Sequence, residues 1–375
     1  MSIENNCWVR RIGKIITTAE RLNYFCQKTY RAVRRHILEL SAAATRKRFY
    51  CAALSGESAY NICINSDMTV SCNCQDYDGS GHIGDLNSES LEEVLASPKA
   101  THFRSILASG RLPIITCASC SDMRVTTPNE ARHRAETWQM CTEGIMVENT
   151  VACPYRCTAC YRTIAIESRR ATHITLDDIR KVTTIIHKYG IKHLSFFNLG
   201  ETFAAPDVGD QLYIIRESNP NLSISISTNG LLLNTVKKRD AAMLANYIKF
   251  SIDGIDDHTM NKYQRGASFS KAYDNMKQLV EHRRQRGITT LIIEWKYVLF
   301  NWNDHERMIL QAVELARNAG VDIISFWPTM SPFYGISWRY YLKTFYKTLG
   351  EPTWKGREIR LGQPNAPANA DKPRC

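Results

Sequence analysis

Two kinds of hydrophobic pattern alternate along the chain between about residue 145 and residue 330. Short apolar runs, such as "IKHLSFFNLGE" and "LSISISTNG", are typical of buried strands, and between them apolar residues return every three or four positions, as in a helix. The stretch "ITLDDIRKVTTIIHKYG" has Thr175 as a helix cap and Gly190 as a stop. Its apolar residues, beginning with Ile179 and Val182, share one face. The pattern predicts six strands separated by five helical segments.

The regular alternation of strands and helices predicts a parallel sheet with helices outside it. Right-handed crossovers would curl such a sheet into a barrel or a doubly wound sheet, and in both cases ligands bind at the C-terminal ends of the strands. The residues with distinctive chemistry follow the predicted strands. They are Cys153, Cys157 and Cys160 after the first strand, Gly200 and Glu201 after the second, Asn229 after the third and Asp253 after the fourth.

The stretch "CPYRCTAC" places the three thiols of Cys153, Cys157 and Cys160 within one short loop. A 4Fe–4S cluster takes four ligands, so this trio would leave one iron open to an outside ligand. A zinc site would need a fourth Cys or His nearby. The nearest histidine is His173, and Cys141 precedes the trio as a possible fourth ligand. The trio alone leaves a zinc site or a closed structural cluster as alternatives.

A Cys-x3-Cys-x2-Cys motif after the first strand of a six-fold βα pattern resembles the radical S-adenosylmethionine (radical SAM) superfamily. The resemblance covers roughly residues 145–330 and implies a partial (β/α)6 TIM-like barrel. It also implies that SAM chelates the open iron of a 4Fe–4S cluster. One electron, supplied by a donor such as flavodoxin or ferredoxin, would cleave SAM to methionine and a 5′-deoxyadenosyl radical. That radical would remove a hydrogen atom from the substrate.

Further short segments carry the resemblance beyond the trio. "NLGET" resembles the family's Gly-Gly-Glu-Pro segment, "SISTNG" and "FSIDG" resemble strand ends that contact SAM, and "YQRG" carries a matching arginine. The sequence departs from the family pattern at Ala159, usually aromatic, and at Leu199 and Thr202. The SAM contacts that the resemblance implies are Gly200, Glu201, Ser227, Asn229, Ser251 and Arg265.

A second set of cysteines lies before the predicted barrel. The order Cys51, "DMTV", Cys72, "GDL", "SLEE" and Cys117-x2-Cys120 resembles the SPASM auxiliary-cluster domain, or its shorter twitch form, although that domain usually follows the radical core. The resemblance implies one auxiliary 4Fe–4S cluster in a small α+β domain. A zinc ribbon with the same thiolates is the alternative. The implied ligands are Cys51, Cys72, Cys117 and Cys120, with Cys63 in place of Cys51 and Cys74 in place of Cys72 left open.

These patterns divide the chain into a basic helical segment (1–48), an auxiliary-cluster domain (49–140), a radical SAM core (141–330) and a C-terminal extension (331–375). The first 50 residues hold eleven Lys and Arg against three Glu, and the net charge of the chain is +11. A basic amphipathic helix there would rest on an acidic partner, an anionic lipid surface or nucleic acid, or pack on its own domain. No motif supports nucleic-acid binding, which is not expected.

Composition indicates where the protein works. The chain is 44% hydrophobic and 23% charged, as in globular proteins, and contains no apolar run long enough to span a membrane. It begins without the apolar core of a secretion signal, so we expect a cytoplasmic location. Disulfides are rare in that reducing compartment, and most of the thirteen cysteines are therefore expected to bind metal or to do redox chemistry.

The substrate is less well determined by the sequence. Trp295, Lys296, Asn301 and Trp327 are expected near the barrel mouth, where tryptophans beside polar groups suit stacking on a sugar ring. A carbohydrate or glycoside-type natural product, oxidised or epimerised, is therefore favoured. A maturase that modifies a ribosomal peptide or protein is the alternative, and a zinc or iron–sulfur binding module with a degenerate barrel is the non-enzymatic one.

Two residues are candidates for direct roles in catalysis. Epimerisation needs a hydrogen donor on the opposite face of the substrate, commonly a thiol, and Cys141 is the best unassigned candidate because it precedes the first barrel strand. Oxidation needs a base, for which Asp253 is the candidate.

Overall fold

The structure is a computed structural model that describes residues 7–342 and 357–361, with side chains from residue 21 onward. Residues 1–6 of the predicted basic segment, and residues 343–356 and 362–375 of the predicted C-terminal extension, lie outside this description. The N-terminal elements are α1 (Cys7–Ala44), β1 (Arg48–Cys51), β2 (Cys63–Ile64), β3 (Thr69–Ser71), β4 (His82–Asp85), α2 (Leu91–Ala96), α3 (Pro98–Ala108), β5 (Met123–Thr126) and α4 (Pro128–Glu136).

The following elements build a barrel-like sheet and its helices. They are β6 (Ile145–Val147), β7 (Arg156–Cys157), α5 (Arg162–Ser168), α6 (Leu176–Tyr189), β8 (His193–Ser195), α7 (Val208–Ser218), β9 (Ser223–Thr228), α8 (Val236–Ala242), β10 (Tyr247–Ser251), α9 (Asp257–Asn261), β11 (Gln264–Arg265), α10 (Phe269–Gln285), β12 (Ile292–Leu299), α11 (Glu306–Ala319), β13 (Ile323–Pro328), α12 (Trp338–Tyr341) and β14 (Arg357–Arg360).

Six parallel strands lie in chain order in this sheet: β6, β8, β9, β10, β12 and β13. Helices α6, α7, α8, α10 and α11 connect them. The predicted α/β class and the partial (β/α)6 arrangement are therefore confirmed. Sequential parallel pairing through helical crossovers brings the C-terminal ends of all six strands to one edge of the sheet.

The helix α6 shows how the local sequence produces these elements. The side chain of Thr175 accepts a hydrogen bond from the Asp178 amide at 3.1 Å and caps the helix. Gly190 ends it in the left-handed conformation, at φ +61°. Ile179 and Val182 are buried against the sheet, as their spacing predicts.

The auxiliary segment is joined to the barrel through the sheet itself. Strand β2 pairs in parallel with β6, and β3 and β4 continue outward from β2 in antiparallel pairs. The other edge is closed by β14, which pairs antiparallel with β13. Within residues 7–342 and 357–361 the sheet therefore has ten strands, and the auxiliary segment extends the barrel rather than forming a separate layer. Periodicity alone did not predict this continuity, because it does not specify which strands pair.

The inner and outer faces of the barrel strands differ in polarity. In β9 and β10 the apolar residues, including Ile226, Ile248 and Phe250, belong to the core between sheet and helices. Because successive strand residues point to opposite faces, the alternate residues Ser227 and Lys249 face the interior of the barrel. The interior is therefore lined largely by polar groups.

Trp295 corrects one expectation from the sequence. The residue lies on the outer face of β12, fully buried against the rings of Phe269 and Tyr273, and its indole nitrogen donates to the Ile252 carbonyl at 2.8 Å. The strand alternation that turns Trp295 outward turns its neighbour Lys296 inward. Trp295 is therefore part of the helix–sheet core and does not reach the barrel mouth.

Helix α1 packs on the rest of the chain through its polar side. Tyr24 donates to Asp78 at 2.6 Å, Asn23 donates to Ser331 at 3.1 Å, and Gln27 is buried. Five of its apolar residues face solvent with exposures between 56% and 65%, whereas Leu38 and Ala42 pack on the cluster around Phe49. These exposed residues are Leu22, Phe25, Val33, Ile37 and Leu40. The amphipathic pattern predicted the helix, but hydrogen bonds decide which face packs. Within the described chain, no helix has both the length and the apolar character needed to cross a bilayer.

Candidate active site

The three cysteines of the trio line a cavity of about 330 Å³ at the C-terminal ends of the barrel strands. Their loop is held by the short antiparallel pairing of β7 with β11, and the Thr158 amide donates to the Tyr263 carbonyl at 2.9 Å. The Cys160 amide donates to the Cys157 carbonyl at 3.2 Å, which turns the loop between these two thiols. All three side chains are only partly buried. The loop therefore presents three thiols to one open space.

Gly200 brings the second strand end against the loop that leads to the trio. A β-carbon on Gly200 would lie 1.9 Å from the backbone oxygen of Thr150, which no side chain tolerates. The next residue, Glu201, donates its amide hydrogen to the Ala152 carbonyl at 2.8 Å. The absence of a side chain at Gly200 is therefore what allows this approach, one residue before Cys153.

The Glu201 carboxylate is buried beneath the cavity. It accepts hydrogen bonds from the Thr228 hydroxyl at 2.6 Å, the Asn229 amide at 2.7 Å and the Phe203 amide at 3.3 Å. Burial raises the pKa of Glu201, against the effect of these donors. A carboxylate has about four acceptor directions, so one remains for a further donor such as an ammonium group.

The third and fourth strand ends complete the wall of the cavity. Asn229 donates to the sulfur of Cys153 at 3.6 Å and so links β9 to the trio. Ser227 and Ser251 lie side by side with their hydroxyl oxygens 3.5 Å apart. The structure thus brings together the trio and the predicted residues Gly200, Glu201, Ser227, Asn229 and Ser251.

Arg265 lies elsewhere. Its backbone pairs with Arg156 between β11 and β7, and its side chain contributes to a separate groove with Trp302 and Tyr334. It is not among the residues that line the cavity of the trio. The sequence match at "YQRG" therefore does not place this guanidinium beside the other predicted SAM contacts.

The two predicted catalytic residues have different positions. Asp253 lines the cavity, and its carboxylate accepts a hydrogen bond from the Val298 amide at 2.9 Å. Burial raises the pKa of Asp253 to about 7, although the Val298 amide and the Lys296 ammonium oppose the rise. Such a group exchanges a proton near neutral pH, which suits a general base.

Cys141 must be corrected as a hydrogen-donor candidate. It precedes β6 and is completely buried in the core, and burial raises the pKa of its thiol to about 11. The cavity lies at the C-terminal ends of the strands, whereas Cys141 lies at the N-terminal end of β6. Proximity in sequence to the first strand did not distinguish its two ends.

Sequence reasoning did not single out Asn198 and Thr228, which also line the cavity. Asn198 donates to the Glu148 carboxylate at 3.1 Å, and Thr228 positions Glu201 as described. A usable signal existed for each, since Asn198 and Thr228 lie inside the quoted segments "NLGET" and "SISTNG". Lys296 was expected near the mouth but without a role.

The auxiliary cysteines form a second group. Burial raises the pKa of the Cys72 thiol, and the neighbouring thiols of Cys117, Cys51 and Cys120 raise it further. Gly81 faces the Cys72 sulfur, where an added β-carbon would lie only 3.1 Å away. The structure thus brings together the four thiols favoured as ligands of the auxiliary cluster.

Cys63 and Cys74 pack together with Tyr60 and Met146, and of the quartet it is Cys120 whose pKa Cys74 helps to raise. Asn198 donates to the Cys63 sulfur at 3.7 Å. The geometry therefore favours Cys51 over Cys63, and Cys72 over Cys74, as auxiliary ligands.

Both thiol groups suit iron–sulfur clusters. A cluster binds each thiolate at a different iron, so its ligands do not have to converge on one point, whereas a zinc ion draws its sulfur ligands to about 2.3 Å. In the part of the chain that the structure describes, no three Cys, His, Asp or Glu side chains converge closely enough to hold a single metal ion. Three thiols line the cavity of the trio and four lie together around Cys72, and thiolates are the ligands that iron–sulfur clusters take.

Comparisons with known proteins agree with this geometry. Residues 147–295 match the radical SAM superfamily, and residues 54–121 match the SPASM iron–sulfur cluster-binding domain. A search of curated proteins returned no match. The fold resembles the solved structure of anSMEcpe with bound AdoMet, at 15% identity and a TM-score of 0.41 over 54% of this chain and 59% of that one.

Two further solved structures show similar partial overlap. They are Streptococcus suis SuiB bound to S-adenosylmethionine (11% identity, TM-score 0.39, 75% of this chain and 62% of that one) and TYW1 with a lysine-pyruvate adduct (14% identity, TM-score 0.37, 58% of this chain and 76% of that one). The chain thus spans less than two thirds of the length of anSMEcpe and of SuiB.

The chain contains a radical SAM domain with an SPASM domain N-terminal to it. The radical SAM domain takes a 4Fe–4S cluster that binds SAM, and the SPASM domain takes an auxiliary iron–sulfur cluster. We propose residues 49–140 and 141–330 as the boundaries of the two domains.

The auxiliary ligands can be assigned by iron content. We expect Cys72→Ala to lower the iron content of the anaerobically reconstituted protein by about four atoms per chain, because its thiol belongs to the quartet favoured as ligands of the auxiliary cluster. Cys74→Ala is the matched control, two residues away, and should keep the full iron content. Iron analysis of both variants checks this. Loss of iron from the Cys74 variant with retention in the Cys72 variant would reverse the assignment.

Proposed function

We propose that this radical SAM enzyme removes a hydrogen atom from a carbohydrate or glycoside-type natural product and thereby oxidises or epimerises it. The trio, with Glu201 and Asn229 beside it, would hold the 4Fe–4S cluster and the amino group of SAM. When bound, the cluster and SAM supply a 5′-deoxyadenosyl radical as the hydrogen acceptor. The residues of the chain bind and orient the substrate and move its proton.

The hydroxyl-rich interior of the barrel is the observation that carries this proposal. Ser225, Ser227, Ser251 and Ser325 alternate with outward-facing apolar residues on the strands β9, β10 and β13. Ser227 and Ser251 also line the cavity beside the trio. Small hydroxyl groups that donate and accept hydrogen bonds suit a substrate with many hydroxyls better than an apolar side chain.

Trp327 adds a flat apolar surface to this interior. Its indole nitrogen donates to the Ser325 hydroxyl at 2.8 Å, and that hydroxyl donates to the buried Glu294 carboxylate. The two bonds hold the orientation of the ring. Aromatic rings of this kind pack against the C–H faces of sugars while the hydroxyls bond to the surrounding polar groups. Asn301 takes no part, since its side chain donates to the Tyr334 carbonyl at 2.6 Å.

Asp253 is the base in the proposed oxidation. Its carboxylate is faced by the Lys296 ammonium, the Cys157 thiol and the Tyr263 hydroxyl. In an alcohol oxidation, Asp253 would take the proton of the substrate hydroxyl. The 5′-deoxyadenosyl radical would take the hydrogen atom from the carbon and the auxiliary cluster would accept one electron, which together leave a carbonyl. An electron donor such as flavodoxin or ferredoxin would supply the SAM-binding cluster with the electron for the next turnover.

The role of Asp253 predicts a pH dependence. The pKa of Asp253 is raised to about 7, so its basic form becomes dominant above that pH, and product formation should rise between about pH 6 and pH 8. Asp253→Asn should lower product formation about 100-fold and remove this rise. Rates measured across that range for both proteins check the prediction. An equal rise in the Asn variant would exclude Asp253 as the titrating base.

The proposed function is tested first without a known substrate. Anaerobically reconstituted protein should contain about eight irons and form 5′-deoxyadenosine from SAM when reduced. Absence of both iron and SAM cleavage would favour the non-enzymatic binding module. Metabolite profiles of cells with and without the gene then identify the substrate.

The metabolite profiles separate the substrate classes, and a second experiment separates the reactions. A changed sugar or glycoside supports the proposal, and a changed ribosomal peptide or protein supports a maturase. For the reaction, turnover in deuterated water should distinguish the outcomes. A product lighter by two hydrogens indicates oxidation, and deuterium at an inverted carbon indicates epimerisation.

A further inference from the structure

We propose that the substrate carries an anionic group, a carboxylate or a phosphate, and that Lys249 and Lys296 bind it inside the barrel. The inference rests on the proposed function and names the charge class of its substrate. The two lysines lie on the neighbouring strands β10 and β12. Both face the interior of the barrel, and Lys296 lines the cavity of the trio.

Lys296 has a defined position in the cavity wall. Its ammonium nitrogen lies 5.5 Å from the centre of the Trp327 ring, a cation–π contact. The indole is itself held by the Ser325 hydroxyl. The Lys296 ammonium therefore has a fixed position in the cavity wall, where a substrate group above the trio can contact it.

Lys249 lies one layer deeper on the adjacent strand. It is in register with Ser227 on β9 and Glu294 on β12, and the outward-facing residues on either side of it, Ile248 and Phe250, are buried in the core. The lysine therefore points into the barrel. No carboxylate of residues 21–342 or 357–361 lies within ion-pair distance of Lys249, although the side chain is partly buried.

The acidic residue in register with Lys249 is already engaged. One Glu294 oxygen accepts the Tyr247 hydroxyl and the other accepts the Ser325 hydroxyl. The Asp253 carboxylate faces Lys296, so of the two lysines it is Lys249 that lacks an ion pair among the described residues. A positive charge held in a partly dehydrated interior favours an anion beside it, because pairing offsets the cost of desolvation.

The surrounding groups complete a site for an anion. Ser227 is in register with Lys249 and Ser251 with Lys296, and their hydroxyls, 3.5 Å apart, can donate to oxygen. Ammonium and hydroxyl donors together bind both carboxylate and phosphate oxygens. SAM also carries a carboxylate, so the test must separate the two ligands.

Binding of small probes to the reconstituted protein saturated with SAM tests the inference. The probes are D-glucuronate, inorganic phosphate and, as the neutral comparison, D-glucose. Under anaerobic calorimetry we expect at least one anion to bind about tenfold more tightly than glucose. Lys249→Met and Lys296→Met should each weaken binding of that anion about tenfold, and Lys249→Arg should retain most of it. Preference for glucuronate or for phosphate assigns the group.

Lys277→Met is the matched control, because Lys277 is a lysine on the outside of the barrel in α10, paired with Asp274 at 2.9 Å. It should bind the probes as the unchanged protein does. Equal binding of glucose and both anions, or variants that weaken SAM binding but not anion binding, would overturn the inference. SAM cleavage by the unchanged protein without substrate is measured separately, so failure of the proposed function is distinguished from failure of the anion site.

Discussion

Replacing Cys153, Cys157 and Cys160 together by Ala is expected to abolish formation of 5′-deoxyadenosine. It should also lower the iron content from about eight to about four atoms per chain. The physical reason is that we propose these thiols as the protein ligands of the SAM-binding cluster, whereas the thiol quartet around Cys72 lies elsewhere. Product analysis after reduction with SAM, together with iron analysis and the visible spectrum, measures both effects.

Cys141→Ala is the matched control for this experiment. Its thiol is completely buried at the N-terminal end of β6 and does not line the cavity. The variant should keep about eight irons and form 5′-deoxyadenosine at a rate close to that of the unchanged protein. Retention of SAM cleavage by the triple variant, or loss of a cluster from the Cys141 variant, would contradict the assignment of the trio.

Gly200→Ala is the second change with a large expected effect. The new β-carbon would lie 1.9 Å from the Thr150 backbone oxygen, so the loop that carries Glu201 must move away from the segment before Cys153. We expect SAM cleavage to fall about 100-fold, because a displaced Glu201 no longer holds SAM in the position that the reaction requires. Calorimetric titration with SAM should show weaker binding.

Gly209→Ala separates this effect from a general effect of the added methyl group. Gly209 lies in α7, and its added β-carbon would make only ordinary contacts at 3.8 Å. Alanine favours a helix over glycine by about 1 kcal/mol, so this variant should be as active and as stable as the unchanged protein, or slightly more stable. Equal activity of the two variants would show that the close approach at Gly200 is unimportant.

The local pattern of apolar and polar residues was sufficient to predict most helices and strands of the barrel. Each helix such as α6 has its own cap, apolar face and stop within its own segment, so neighbouring residues specify it. The strands were identified by composition, but their inner and outer faces were read correctly only in part. Trp295 was expected at the mouth because a large aromatic beside a lysine resembles a ligand platform, and the pleat turns it into the core.

The candidate site was predicted where short motifs coincide with strand ends. Gly200, Glu201 and Asn229 follow their strands directly, so parallel pairing alone brings them to the trio. The positions of Arg265 and Cys141 could not be predicted in this way. Their positions depend on the pairing of β11 with β7 and on which end of β6 faces the cavity, and both are properties of the assembled fold.

The sequence by itself determined the elements, the two cysteine sets and the family to which their motifs belong, because these depend on spacing between residues close together in the chain. Tertiary structure decided which thiols form the auxiliary quartet, that β2 extends the barrel sheet and which face of α1 packs. It also placed Lys249 beside Lys296 in the interior. Those relations join residues far apart in sequence, and pairing between strands and hydrogen bonds between segments establish them only once the chain has folded.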